Sequence, residues 1–386
     1  MGRHGVERRI TWSIWGMATP SGEQLTANPL RPQLKAAVFL PPGRWPTVVV
    51  PVDSDNAIDT AAVQRILGEQ GVQVTTINPH EKPWNPLGNS NPYYRGLDVI
   101  RAIQVLLTQR NADAIVVVFE SGGVFLLLLR RLFWFKPKVI LWDASVGNPW
   151  RVVTFIQRIV LKRFDGLMML TTRQMDALRG RHHVRGPLLH LGYNVDEMFF
   201  HPRHNTDGDY ILSVGDDRSR DYETLWKSLQ SLSLKVKLKT RWRPSDIDST
   251  SHQHVEFLSG RLSDREFRGL YAAARFVVLP LHDVESAGGI TALFEAMAMG
   301  KAVIVTASGI STDFVIDGFN AVVVPRNDAT ALTNAIQMLH TNPQLCESLG
   351  RNARVTIEER FSTRILVEKM TTFIVNVISP RGSVTQ

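Results

Sequence analysis

A single cysteine, Cys346, serves a chain of 386 residues. That excludes an internal disulfide framework and a cysteine metal cluster. The residue lies in a helical pattern and reads as a small core side chain, and a reducing, cytosolic compartment is the default expectation. Long apolar runs are missing too. The amino terminus has basic residues but no apolar core before Pro20, so no signal peptide is expected. Val116 to Phe135 is broken by Glu120, Gly122, Gly123, Arg130 and Arg131, which excludes a membrane span. No histidine cluster stands at metal-ligand spacing. No helix-turn-helix, RNP-like or zinc-finger pattern accompanies the basic residues, so no nucleic-acid partner is expected.

What is present is a series of strand-length apolar runs separated by helical patterns. They are Thr47 to Val52, Ala114 to Phe119, Val139 to Trp142, Ile211 to Val214, Phe276 to Pro280, Ala302 to Val305 and Ala321 to Val324. Such alternation argues for an α/β fold with parallel sheets, and the length exceeds what one core comfortably serves. The polar stretch FHPRHNTDGD, Phe200 to Asp209, marks the seam. Residues 1–43 are weakly patterned and read as an N-terminal extension; 44–200 form a first Rossmann-like domain, 201–208 a linker and 209–386 a second, whose last helix returns to the first. A ligand cleft is expected between the carboxyl ends of the strands.

Charge is placed unevenly. The excess of eight basic residues lies wholly in residues 1–200, and Arg130 to Arg185 alone carry twelve Lys and Arg against three acidic residues. RRLFWFKPK and PWRVVTFIQRIVLKRF interleave these cations with Phe133, Trp134, Phe135, Trp150 and Phe155. Two readings stay open: a helix with an apolar core face and a solvated basic face, or an interfacial element docking on an anionic membrane.

The most informative segment is SAGGITALFEAMAMG, Ser286 to Gly300, followed by the strand-like KAVIVT. A glycine pair opens a helix whose free amides suit a diphosphate, and Glu295 further in can accept hydrogen bonds from ribose hydroxyls. This segment resembles the donor site of retaining glycosyltransferases of family 4 and relatives. YILSVG, VEFLSGRLSDREFRGLYAAARFVVLPL, DGFNAVVVP and LGRNAR follow in matching order, so the resemblance runs from about Leu188 to Met370.

The resemblance implies the two-domain GT-B architecture and transfer of a hexose-type unit, with retention, from a nucleoside diphosphate sugar to a glycan or lipid-linked acceptor. A peripheral location on the inner face of the cell membrane is implied as well. Rivals are a nucleotide-sugar epimerase of the same architecture and a catalytically weak glycan-binding subunit. Glu295 inherits the ribose role. The other glutamate of the family pair, eight positions earlier, is replaced by Ala287. Either Glu285 reaches in instead, or the amides of Ala287, Gly288, Gly289, Ile290 and Thr291 hold the diphosphate without it.

In DDRSRDYETL, which follows Gly215, the resemblance offers Arg218 and Arg220 as diphosphate ligands and favours Arg220, since a guanidinium can clamp two phosphate oxygens. Gly260, Arg261 and Leu262 would meet the base, and His282 borders the same cleft. In the first domain Glu120 and Asp143 end strands and are the carboxylates placed to orient an acceptor hydroxyl. The Asp53-Ser54-Asp55 and Asp246-Ile247-Asp248 pairs stand away from the position such a metal motif occupies, so metal-independent chemistry is expected.

Overall fold

A computed structural model describes residues 34–39, 72–77, 99–118, 120–144, 146, 151–202, 208–245, 254–260, 262–285 and 288–378. Among the described residues twelve strands form two all-parallel sheets. The first contains β1 (Leu34–Phe39), β2 (Val72–Ile77), β3 (Ala114–Val118), β4 (Lys138–Trp142), β5 (Gly166–Met169) and β6 (Leu188–His190), in the order β2-β1-β3-β4-β5-β6. The second contains β7 (Tyr210–Val214), β8 (Val236–Lys239), β9 (Val255–Leu258), β10 (Ala274–Leu279), β11 (Val303–Thr306) and β12 (Val322–Val324), in the order β12-β11-β10-β7-β8-β9. This second order reverses direction between β7 and β10, the topological switch point at which doubly wound sheets bind ligands.

Residues 1–43 read as a weakly patterned extension; within them Leu34–Phe39 is β1, paired in register with both β2 and β3. LKAAVF is short and interrupted by Lys35, so its strand character comes from its two neighbours. The runs at Thr47 to Val52, the Asp53-Ser54-Asp55 pair and Asp246-Ile247-Asp248 lie outside the described residues.

The described residues also form eleven helices, the last three after the final strand: α1 (Val99–Thr108), α2 (Glu120–Leu129), α3 (Arg151–Val160), α4 (Thr172–Gly180), α5 (Tyr222–Leu229), α6 (Asp264–Ala272), α7 (Ile290–Ala298), α8 (Gly309–Phe314), α9 (Ala329–Thr341), α10 (Pro343–Arg360) and α11 (Thr363–Ile378). Several begin where their sequence supplies a cap. Thr171 with Gln174 caps α4, Ser263 with Glu266 caps α6 and Ser308 with Ser311 caps α8, each by reciprocal hydrogen bonds that satisfy amides lacking a helical partner. Strands β3 and β7 are buried along their whole length, as expected when helices cover both faces.

The chain crosses back at its end. Helix α11 packs against β4 and β5, and a Cβ on Gly166 would stand 2.9 Å from Val377, so only glycine lets helix and strand meet this closely. Tyr193, Val195, Phe199 and Phe200, between the two sheets, share one core with Phe294, Phe314, Phe361 and Leu366.

Candidate active site

Every loop that leaves a carboxyl end of the second sheet near the switch point is tied to another. After β7, Asp221 N–H donates to the Pro280 carbonyl at 3.0 Å, and the Ser219 carbonyl accepts from His282 N–H at 2.7 Å. Arg220 and Leu281 form an isolated bridge between the same loops. The β10 side is fixed in turn by buried Thr306, whose hydroxyl accepts from Leu281 N–H at 2.8 Å and donates to the Leu281 carbonyl at 2.7 Å. The glycine turn before α7 closes on this pair. A Cβ on Gly288 would lie 2.5 Å from Ser219 Oγ, and Gly289, at φ 90°, N-caps α7 in the left-handed region.

Arg220 stands at the centre. Its side chain is only 5 % exposed. A Cβ on Gly215 would fall 2.0 Å from Arg220 Nε, and one on Gly289 2.7 Å from Nη1, so the guanidinium fills a slot that both glycines leave open. Among the described residues the carboxylate paired with it is Asp217, whose Oδ2 lies 3.4 Å from Nε, and neither Nε nor Nη1 makes a hydrogen bond. A buried cation with two unused donors facing a helix amino terminus is a ready anion site, because leaving such donors unmet is unfavourable. Arg218 is exposed, away from this slot.

Glu295, half-buried two turns into α7, accepts a hydrogen bond from Tyr271 Oη at 2.8 Å. Complete burial and the neighbouring carboxylate push the Tyr271 phenol well up, so it remains a neutral donor and fixes the carboxylate's orientation. The turns after β8 and β9 complete this rim. Lys239 Nζ donates to the Gly260 carbonyl at 2.7 Å, and Asp216 accepts from Thr240 Oγ1 at 3.2 Å and pairs with Arg241 at 3.4 Å. Gly260, at φ 85°, and half-buried Leu262 stand at the end of β9. His282 is half exposed, 3.9 Å from Asp221. Arg261 and Ala287 lie outside the described residues.

The first sheet turns its own carboxyl ends toward these loops. Thr172, at the start of α4, donates from N–H and Oγ1 to Asp313 at 2.8 and 2.6 Å. Arg173 pairs with Asp283, which also pairs with Arg326 at 2.6 Å, and Arg181 pairs with Glu285. Tyr193 Oη meets Thr291 Oγ1 at 3.2 Å across the same boundary. Glu285 is thus paired with Arg181 of the first domain.

The Asp283 carboxyl is held below its ordinary range first by the hydrogen bond from Arg173, with Arg173 and Arg326 charges adding to it. A carboxylate with a lowered folded pKa stabilises above its unfolded value, about 3.9, and that stabilisation disappears as pH falls through the lowered value. The melting-temperature difference between the wild type and Asp283→Asn is therefore expected to be constant near neutrality and to shrink in acid. A difference that grows in acid would contradict the pairing.

One of the two first-domain carboxylates changes place. Glu120 was expected in a polar turn open to the cleft; it is instead the fully buried first residue of α2, where Oε1 accepts from Gln157 Nε2 at 2.7 Å. The apolar GVFLLLL that follows draws the segment into the core as helix. Asp143 does stand at the cleft end of β4, at φ 64°, with Oδ1 accepting from Gln174 Nε2 at 2.7 Å and from Ala144 N–H at 2.8 Å. Gln174 also caps α4, so cap and carboxylate are one network that no local pattern foretells.

Residues 248–356 match the family described as glycosyl transferases group 1. Over 111 residues the chain is 32 % identical to a D-rhamnosyltransferase, WbpZ, of Pseudomonas aeruginosa, covering 28 % of this chain and 29 % of that protein. It is equally 32 % identical, over 111 residues, to O-antigen chain mannosyltransferase C of Escherichia coli, covering 28 % and 30 %. The chain thus spans less than a third of the length of these relatives. In three dimensions it resembles sucrose-phosphate synthase of Thermosynechococcus elongatus, with TM-score 0.68 and 18 % identity over 90 % of this chain and 100 % of that one. It also resembles Anabaena HepE, solved in complex with UDP and glucose, with TM-score 0.63 and 13 % identity over 89 % and 99 %. The fold is GT-B: two Rossmann-like units whose sheets present their carboxyl ends to one cleft.

Proposed function

We propose that this GT-B protein is a glycosyltransferase that moves a hexose-type unit from a nucleoside diphosphate sugar to a glycan or lipid-linked acceptor, with retention at the anomeric carbon. The observation that carries the reading is Arg220: buried in the slot between Gly215 and Gly289, with Nε and Nη1 making no hydrogen bond. Residues 209–386 act as the donor domain and 44–200 as the acceptor domain. The names of the P. aeruginosa and E. coli relatives support a hexose or deoxyhexose donor.

In this mechanism the α7 amides of Gly289, Ile290 and Thr291 and the Arg220 guanidinium hold the diphosphate, and Glu295 holds the ribose. Negative charge grows on the leaving diphosphate as the glycosidic bond breaks, and Arg220 stabilises it most in the transition state. Asp143 orients the acceptor hydroxyl. Glu120, buried on Gln157, has no part in the reaction. Of the two arginines Arg220 is the phosphate ligand, since its side chain fills the glycine slot whereas Arg218 is exposed.

The protein works at the inner face of the cell membrane, attached through part of Arg130 to Arg185. No helix among the described residues is long and apolar enough to cross a membrane. Phe135 is in the core and Phe133 half-buried, so the surface aromatics are Trp134 and Phe155; Trp150 lies outside the described residues. Arg173 and Arg181 are spent on the cleft.

Incubation with uridine, guanosine and adenosine diphosphate sugars, with release of nucleoside diphosphate as readout, tests the reading. One donor class is expected to be hydrolysed slowly and consumed faster when an acceptor is added. No release from any donor, with the protein folded, would reject it.

A further inference from the structure

A second recessed site lies at the opposite end of the first sheet. The turn that leaves α2 and the short 3-10 segment Leu161–Arg163 after α3 meet beside the amino ends of β4 and β5. Between them is a groove of about 770 Å³ lined by Leu127, Leu128, Arg130, Arg131, Trp134, Phe135, Lys136, Lys162 and Arg163. The cleft stands at the carboxyl ends of the same strands, about 16 Å away at roughly 3.3 Å per residue of β4. The groove is therefore not an arm of the donor site.

Its charges divide into two sets. Arg130 is occupied with Asp165 at 2.8 Å, and Lys138 beside it pairs with the same carboxylate at 3.3 Å. Arg131, Lys136, Lys162 and Arg163 pair with no carboxylate among the described residues. Around these cations the apolar surface is open: Trp134 is 86 % exposed, Leu132 72 %, Phe155 63 % and Leu128 47 %. A monomer gains nothing from leaving Trp134 in water, and at φ 51° its backbone sits where a bulky residue is rarely found. Exposed cations beside protruding aromatic and branched groups match the layering of an anionic bilayer, with phosphates at the level of the cations and acyl chains beyond them.

We propose that this groove binds the phosphate of an anionic phospholipid, held by Arg131, Lys136, Lys162 and Arg163 while Leu132 and Trp134 enter the acyl boundary. The inference rests on the peripheral-membrane part of the functional reading and adds a defined headgroup site to it. It places the anchor on the end of the first domain away from the cleft, so that lipid binding and donor binding do not compete.

The test is sedimentation of the full chain with phosphatidylcholine vesicles, with and without phosphatidylglycerol. Wild-type protein is expected to sediment only with the anionic vesicles. Lys162→Gln with Arg163→Gln should bind them roughly thirtyfold more weakly, at about 1 kcal/mol per cation. A control with the same charge loss elsewhere, Lys235→Gln with Arg351→Gln, should bind like wild type. Trp134→Ser, which leaves the charge intact, should also weaken binding, and millimolar inorganic phosphate should not displace the protein. Equal losses in the control would mean diffuse attraction without a site and overturn the proposal. So would failure of the wild type to bind, or tighter binding to a DNA duplex than to vesicles. Nucleotide affinity measured on the same variants should be unchanged, so failure of the anchor and failure of the transferase reading are told apart.

Discussion

Replacing Arg220 by alanine is expected to lower glycosyl transfer by roughly a hundredfold to a thousandfold, the scale on which one preorganised donor to a developing negative charge acts in a water-poor site. The argument is geometric. Gly215 and Gly289 leave a slot that the guanidinium fills, and its Nε and Nη1 make no hydrogen bond. Phosphate oxygens there would meet donors that the described residues leave without hydrogen bonds. Arg220→Lys should recover little, since an ammonium cannot engage two oxygens in one plane. Arg218→Ala, on the exposed side of the same loop, should change turnover far less. Equal small losses at both positions would remove phosphate handling from this loop. A lost fold would confuse the comparison, so circular dichroism and melting temperature accompany the kinetics.

Glu295→Ala is expected to weaken nucleoside diphosphate binding by about 1.5 to 3 kcal/mol, the range for hydrogen bonds to a charged group. Roughly, that is a tenfold to 150-fold rise in Kd at 1.4 kcal/mol per decade. Tyr271 offers an internal check. Its hydroxyl holds Glu295 at 2.8 Å from full burial, so Tyr271→Phe should weaken binding by a smaller factor while leaving the carboxylate present. Unchanged affinity in folded Glu295→Ala would reject the ribose assignment.

Much of the second domain was legible because its signals are local. The run SAGGITALFEAMAMG announces a glycine turn, a helix and a lone carboxylate within one stretch, and YILSVG announces a fully buried strand. The first domain was less so. Glu120 followed a strand and preceded two glycines, which reads as a turn, but the apolar side chains beyond it gain more by continuing as a buried helix. Strand β1 was missed because six residues with a lysine among them carry little pattern of their own. The ties across the cleft, Thr172 to Asp313, Arg173 to Asp283 and Arg181 to Glu285, join residues over a hundred positions apart. No periodicity or spacing encodes such pairs; only the topology brings them together. The basic window likewise looked like one surface, whereas the fold sends Arg173 and Arg181 to the cleft and Arg131, Lys136, Lys162 and Arg163 to the far end.

The most direct test of the central claim is titration calorimetry of the folded protein with uridine, guanosine and adenosine diphosphates, repeated on Arg220→Ala. One diphosphate is expected to bind the wild type in a one-to-one complex, with its affinity reduced at least tenfold in the variant, as removal of a charge-assisted contact worth about 1.5 to 3 kcal/mol requires. Binding of none of the three, or binding that Arg220→Ala leaves untouched, would contradict a donor site built around this arginine.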